Sequence, residues 1–327
     1  MRNVTYYDLC LRARGKSRAE GNIADFPTKP KPLIEIIEYI QTQFKLGDNF
    51  LWKSQGNEPI KIVIKDLDVI DGFLVLLINK SDPSIPDFVS SDPEAGERNV
   101  YKKPKNHGGE TSAHVLLKPE PIRGDNYYYC MIESSHGSGL TASGIAPYLA
   151  HIIRHCKKIY PSNFKIENQD GSVDKKGNIN RVNWNHEVDL QGHPSESFVN
   201  DLKQGTLSGI ELIDHETIGS RWDESGFVTE RRKIIEMEVK KELIGDSWKT
   251  VKSVLGNARN NGLSQMRVRF TNANGENKDA LLSTDTGHLA DDKKYVKKHR
   301  ISAQNTPSTA SFETINRAIV NEIIKHS

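Results

Sequence analysis

The hydrophobic residues of this chain change period along its length, and that change limits its folds more than any other feature. At Leu33, Ile36, Ile37 and Ile40, with Phe44 in line, they recur at i, i+3, i+4 and i+7, the spacing of one buried helix face. Ile145, Leu149, Ile152, Ile153 and Cys156 repeat that stripe within 143–160. Around these helices lie short alternating or apolar runs that read as strands: an edge strand at 4–14, a three-strand meander at 50–52, 60–64 and 72–78, and two more at 115–118 and 127–133. Residues 81–110 are rich in Pro, Asp, Ser and Gly and read as a long surface loop. The polar stretch 168–180 reads as a hairpin tip or linker.

Beyond it the order is strand 186–190, helix 195–203, strand 208–213, strand 232–240, helix 247–260 and a hairpin of 265–271 with 278–282. That order contains the split βαβ repeat of a ferredoxin-like fold. A last helix carries Phe312, Ile315, Ile319 and Ile323. At 327 residues the chain is about two domains long. The expectation is an α+β protein: a discontinuous mixed-sheet domain of 1–180 with 295–327, and a mobile ferredoxin-like domain of 181–294, hinged near 171–180 and 291–298.

Composition removes several classes. The longest strongly apolar run, 73–78, is far short of the ~20 residues of a membrane helix. The first residues show no apolar signal segment. Cys10, Cys130 and Cys156 are too scattered for a disulfide framework or a thiolate zinc site, which fits a reducing cytoplasm. No cofactor or metal is expected.

The net charge of +2 is uninformative, but its distribution is polarised. Residues 181–230 hold 3 basic and 10 acidic side chains, whereas 231–300 hold 16 basic and 9 acidic. Lys293, Lys294, Lys297, Lys298 and Arg300 give five fixed positive charges in eight residues, with Tyr295 among them. On the helix at 247–260, Lys249, Lys252 and Arg259 lie opposite Trp248, Val251 and Leu255. On the next strand Arg267 and Arg269 share one face, and Met266, Val268 and Phe270 the other. Cations on one surface can replace condensed counterions on a phosphate backbone, giving salt-sensitive, sequence-blind affinity. The competing reading of each segment alone is a solvated face, or a contact between copies of the chain.

Other motifs favour their ordinary reading. Glu238 and Lys240 match the E-x-K half of a metal-dependent nuclease site, with Asp214 or Asp223 as the upstream acid, but Glu236 on the same face makes this an ordinary half-solvated strand. His151 and His155, one helical turn apart, lack the Glu and the further ligands of a metal helix. The Gly/Ser loop 134–139 with His136 lacks a Walker lysine and a placed acid, and reads as a strand-to-helix turn. The basic loop with Lys102, Lys103 and Lys105 reads as a charged surface loop, and the Asp285, Thr286, Gly287 triplet as chance. No catalytic centre emerges.

The order of elements resembles the RexA-type phage-exclusion proteins. The resemblance is clearest where the strand from Met266 ends at the polar turn of Gly275, and a return strand from Ala280 closes on Gly287, His288 and Leu289. A basic spacer and an amphipathic helix complete it. Tyr6 and Tyr7 with Arg14, Lys16 and Arg18, the run 50–52, and the Tyr127–Cys130 strand with its following helix are weaker echoes. The resemblance implies a prophage- or defence-associated cytoplasmic homodimer of abortive-infection type that binds double-stranded DNA without sequence preference, acts with a membrane-protein effector, and is not itself inserted in a membrane. Residues 81–110 and 214–230 have no counterpart in that pattern, so the DNA-binding residues rest on the charge argument. A defence-associated nuclease and a protein-interaction adaptor remain the alternatives. Limited proteolysis should cut first in 81–110 or at the two hinges; early cutting inside 234–239 would overturn the domain boundary.

Overall fold

Residues 2–20, 22–135, 137–174, 176–214, 233–240, 245–290, 295–302 and 309–327 are described by the computed structural model. Strand β1 (Arg2–Ala19) turns back into β2 (Asn22–Thr28), and helix α1 (Leu33–Lys45) follows the proline-punctuated link. Next come β3 (Trp52–Lys53), β4 (Lys61–Ile70) and β5 (Phe73–Asp82), then β6 (Phe88–Asp92) with β7 (Glu97–Tyr101), then β8 (Gly109–Arg123) with β9 (Tyr127–Ser135). Helix α2 (Ala142–Ile159), a 3-10 turn, β10 (Lys165–Glu167) and β11 (Arg181–Gly192) follow. The chain continues through α3 (Glu196–Gln204), β12 (Thr206–Asp214), β13 (Lys233–Met237), α4 (Ser247–Asn260), β14 (Gln265–Thr271) and β15 (Asn277–Ser283), and ends with β16 (Lys298–Arg300) and α5 (Arg317–Lys325). Helices and several sheets together make the protein α+β. The chain divides into two compact units, one of Met1–Val4, Asp8–Asp189 and His299–Ser327, the other of Thr5–Tyr7 and Leu190–Lys298.

The first unit is organised by a sheet ordered β10-β11-β1-β9-β8-β5-β4-β3, with β2 and β16 also pairing β1. The sequence expectation of an edge strand at 4–14 fails, because β1 lies between β11 and β9. Its consecutive buried residues Leu9, Cys10 and Leu11 are the mark of a strand covered on both faces, not of alternation. β5 is likewise fully buried from Leu74 to Ile78. On one side Leu33, Ile36, Ile37 and Ile40 of α1 and Ile145, Tyr148, Leu149, Ile152 and Ile153 of α2 are buried, and the Tyr128 hydroxyl accepts from the Leu33 N–H (3.2 Å). The opposite face meets the C-terminal segment, where the Phe312 ring lies 5.2 Å from that of His114.

Two further expectations are corrected here. Residues 81–110 are not a structureless loop: β6 and β7 pair antiparallel as a separate hairpin, with Phe88 opposite Tyr101. The last helix begins at Arg317, after Phe312 and Ile315, since the Asn316 side chain caps it by accepting from the Ala318 and Ile319 N–H groups.

Between the C-terminal segment and the sheet sits a fully buried ionic cluster. Glu133 of β9 receives the Arg2 guanidinium through two contacts and lies 2.7 Å from His114 Nδ1 on the neighbouring strand. Arg2 also donates to the Ser112 carbonyl (2.6 Å) and stands over the Phe312 ring. His114 Nε2 accepts from the Asn316 N–H (3.1 Å), and Ser112 Oγ accepts from the Phe312 N–H (2.8 Å).

The second unit is a four-stranded sheet ordered β13-β12-β14-β15, antiparallel at every pairing. Helices α3 and α4 pack on one side of it, each capped by its own sequence: Ser195 Oγ accepts from the Phe198 N–H, and Asp246 from the Lys249 N–H. Phe198, Leu202, Val251, Leu255 and Ala258 of the helices and Met266, Val268 and Phe270 of β14 are buried, and the Phe198 and Phe270 rings lie 6.1 Å apart.

Burial alone would raise the Glu133 pKa, but hydrogen bonds from His114 and Arg2 and the charge of the Arg2 guanidinium outweigh it and hold the carboxyl below its usual range. A depressed folded-state pKa means that this stabilisation is complete above the ordinary glutamate value of about 4.3 and is lost as the pH falls below it. Glu133→Gln should therefore cost about 3 kcal/mol at neutral pH. In denaturant titrations followed by circular dichroism, it should also flatten the acid-side loss of stability.

Candidate nucleic-acid interface

Helix α4 divides its residues by the 3.6-residue period. Val251, Leu255 and Ala258 are buried, while Lys249, Lys252 and Arg259 are exposed on the solvent side. Lys249 and Lys252 make no ion pair among the described residues. The Lys252 ammonium lies over the Trp248 ring, 5.0 Å from its centroid, so Trp248 stands beside Lys252 and Arg259 and not opposite them as expected from sequence, because residues four and eleven apart return to nearly the same helix face. Arg259 Nε donates to the Thr284 carbonyl (2.9 Å), which anchors the side chain of this exposed residue.

Arg267 and Arg269 are placed differently. Met266, Val268 and Phe270 of β14 face the helices, so the two arginines stand on the opposite face of the sheet. There both pair with one carboxylate, Glu211 of β12, which is 5% exposed; Arg267 Nη1 approaches it at 3.1 Å and Arg269 closes on its other oxygen. Arg267 also lies 3.9 Å from Asp279. The continuous basic surface of helix and strand that the sequence suggests is thus split by the sheet, and its strand half is spent on a buried acid.

Of the basic segment after β15, Lys293 and Lys294 lie outside the described residues. Lys297 is exposed and stands over the Tyr6 ring, 4.4 Å from its centroid. Lys298 is exposed and belongs to the same unit, whereas Arg300 falls in the first unit.

One feature of this unit was not singled out from sequence. Beside α4 lies a cleft of about 420 Å³, walled by Trp248, Lys252, Gly256 and Arg259 on the helix and by Thr286, Gly287 and His288 on the facing turn. Gly287 takes φ +72° there, a conformation that favours glycine. The 4, 4, 3 spacing of the helix residues was legible; the turn that completes the cleft was not, because it arrives from about thirty residues later in the chain.

The remaining motifs carry no chemistry in place. β13 ends at Met237, so Glu238 and Lys240 lie beyond the strand that an E-x-K site needs. Asp214 is registered opposite Lys233, and Asp223 is outside the described residues. His155 pairs with Asp48 (2.5 Å), and burial holds His151 below its usual pKa. His136 is outside the described residues. All three cysteines are buried; burial pushes the Cys130 thiol up and the Cys156 thiol up to about 12, which leaves neither a thiolate nucleophile. Lys103 of the second basic loop donates to the Pro83 and Ile85 carbonyls instead of facing outward.

Comparison of the chain with protein-family models, with curated proteins and with solved structures finds no match. Among the described residues no helix is long and apolar enough to cross a membrane.

The arginine geometry makes a testable separation. Arg267→Ala should lower stability by about 1–2 kcal/mol, because Glu211 loses a charged partner while buried. It should change nucleic-acid affinity by less than twofold, as read by chemical denaturation and by gel shift on the same preparation.

Proposed function

We propose that this protein binds double-stranded DNA without sequence preference, as a non-catalytic homodimeric component of a cytoplasmic phage-exclusion or antiviral defence system. The observation that carries the reading is the exposure of Lys249, Lys252 and Arg259 on α4, outside its buried stripe of Val251, Leu255 and Ala258 and with no ion pair among the described residues. Lys297 and Lys298 of the same unit are exposed as well. The defence setting, the dimer and the membrane-protein effector come from the RexA-type resemblance. The ferredoxin-like likeness of the second unit is kept only as a layering proposal, two helices against one antiparallel sheet.

Neutralising three to four phosphates gives a log affinity against log salt slope of about −3. Lys249→Glu combined with Lys252→Glu should abolish the gel shift at low salt without lowering the melting temperature. A slope near zero would end the reading. Incubation with Mg²⁺ should leave the DNA uncut, and Glu238→Ala should bind it as the wild type does; metal-dependent cleavage lost in that variant would establish the nuclease alternative instead.

The adaptor reading has its own support in the β6–β7 hairpin. Phe88 is 68% and Tyr101 57% exposed, with Val89 and Val100 exposed on its other face. An isolated two-stranded hairpin is marginal in water, and exposed aromatic pairs favour contact with another protein. Partner capture that survives charge reversal on α4 but not Phe88→Ser would support this second role.

A further inference from the structure

We propose that the cleft beside α4 receives one unpaired nucleotide of a nucleic-acid strand, its base on Trp248 and its phosphate between Lys252 and Arg259. The inference rests on the nucleic-acid reading above and deepens it from a charged face to a site with a shape.

Three independent features converge there. The first is the stripe itself: Trp248, Lys252, Gly256 and Arg259 follow one another at 4, 4 and 3 residues, which sets them along a single helix face. That is an aromatic plane, a cation, a gap and a second cation. The second is the glycine. Gly256 sits in the interior of α4, where glycine is the least favourable residue other than proline. A Cβ built on it would meet nothing within 4 Å, so no neighbour in the protein requires its absence. A helix glycine that packing does not explain, lining a cleft, keeps room for something that is not protein.

The third feature is the fixed far wall. The turn 284–288 is closed by hydrogen bonds from the Gly287 N–H to the Ser283 carbonyl and from the Ser283 N–H to the His288 carbonyl, both 2.8 Å. Arg259 is tied to the Thr284 carbonyl of that same turn. The guanidinium is therefore held at the rim before any ligand arrives, which reduces the ordering that binding requires.

Size selects the ligand. About 420 Å³ lies within the range of small-molecule sites and admits a base with its phosphate, and a single indole face offers a stacking platform to a base whose faces are free, which a base stacked inside a duplex does not have. Trp248 is set edge-on against Phe198 (6.0 Å, 82°), so its indole is braced, and Lys252 now covers the ring. When a base stacks on the indole, the flexible lysine swings its ammonium from the ring to the phosphate. Base stacking on aromatic side chains is sequence-tolerant, in keeping with the absence of a base-reading motif.

The test uses the full chain, a 5′-phosphorylated hexathymidylate, and a 20-base-pair duplex with or without a six-nucleotide single-stranded overhang. Wild type should bind the hexanucleotide with quenching of tryptophan fluorescence, and should bind the overhang duplex about tenfold more tightly than the blunt one. Gly256→Leu fills the cleft while improving helix propensity. It should lose at least tenfold in hexanucleotide affinity and erase the overhang gain, with blunt-duplex affinity within twofold and the melting temperature not lowered. Gly256→Ala should show the same pattern at about threefold. Hexanucleotide affinity unchanged in Gly256→Leu, or no gain from the overhang in wild type, would overturn the cleft proposal while leaving duplex binding in place. Failure of every nucleic acid to bind at low salt would overturn the parent reading together with it.

Discussion

Glu133 is the point on which the first unit turns. A carboxylate with no solvent access is tolerable only if its charge and its lone pairs are met inside the protein, and here Arg2 and His114 meet them. Those partners come from the first strand and from the strand beside Glu133, and the second nitrogen of His114 reaches the backbone that starts α5. The cluster thus fixes how the two chain ends close on the sheet. An apolar contact could not specify this as strictly, because it would tolerate sliding, whereas a misplaced charge would be left buried and unpaired.

The second unit uses the same device at a different cost to function. Glu211 lies buried under Arg267 and Arg269, and this pairing draws the strand's charge into the fold. What remains outward is the charge on α4, where apolar and cationic residues separate by helical period. The two groups of cations look alike in composition. They differ in that a strand presents its alternate residues to a neighbouring strand at fixed register, here opposite an acid, while the outer face of a helix meets only solvent and whatever binds it.

The cleft follows from that helix surface. Its helix wall is local in sequence, but the facing turn exists only because the β14–β15 hairpin brings residues 284–288 beside α4. A glycine that looks like a defect in an isolated helix becomes, with that turn in place, the floor of a recess.

Sequence alone determined the local elements whose period is strong. The stripes Leu33–Ile36–Ile37–Ile40 and Val251–Leu255–Ala258 are buried as their spacing requires, and the alternation of β14 assigns its two faces. It was blind where burial is two-sided, so β1 passed for an edge strand, and where polar composition hid a hairpin, as at β6 and β7. Only tertiary structure decided the pairing of Arg267 and Arg269 with Glu211, the meeting of Arg2, His114 and Glu133, and the turn that encloses the α4 cleft. The physical reason is common to all three. Periodicity reports which side of an element avoids water, but an ion pair or a recess depends on which distant residue arrives opposite. That is set by strand order and register, which local propensity does not encode.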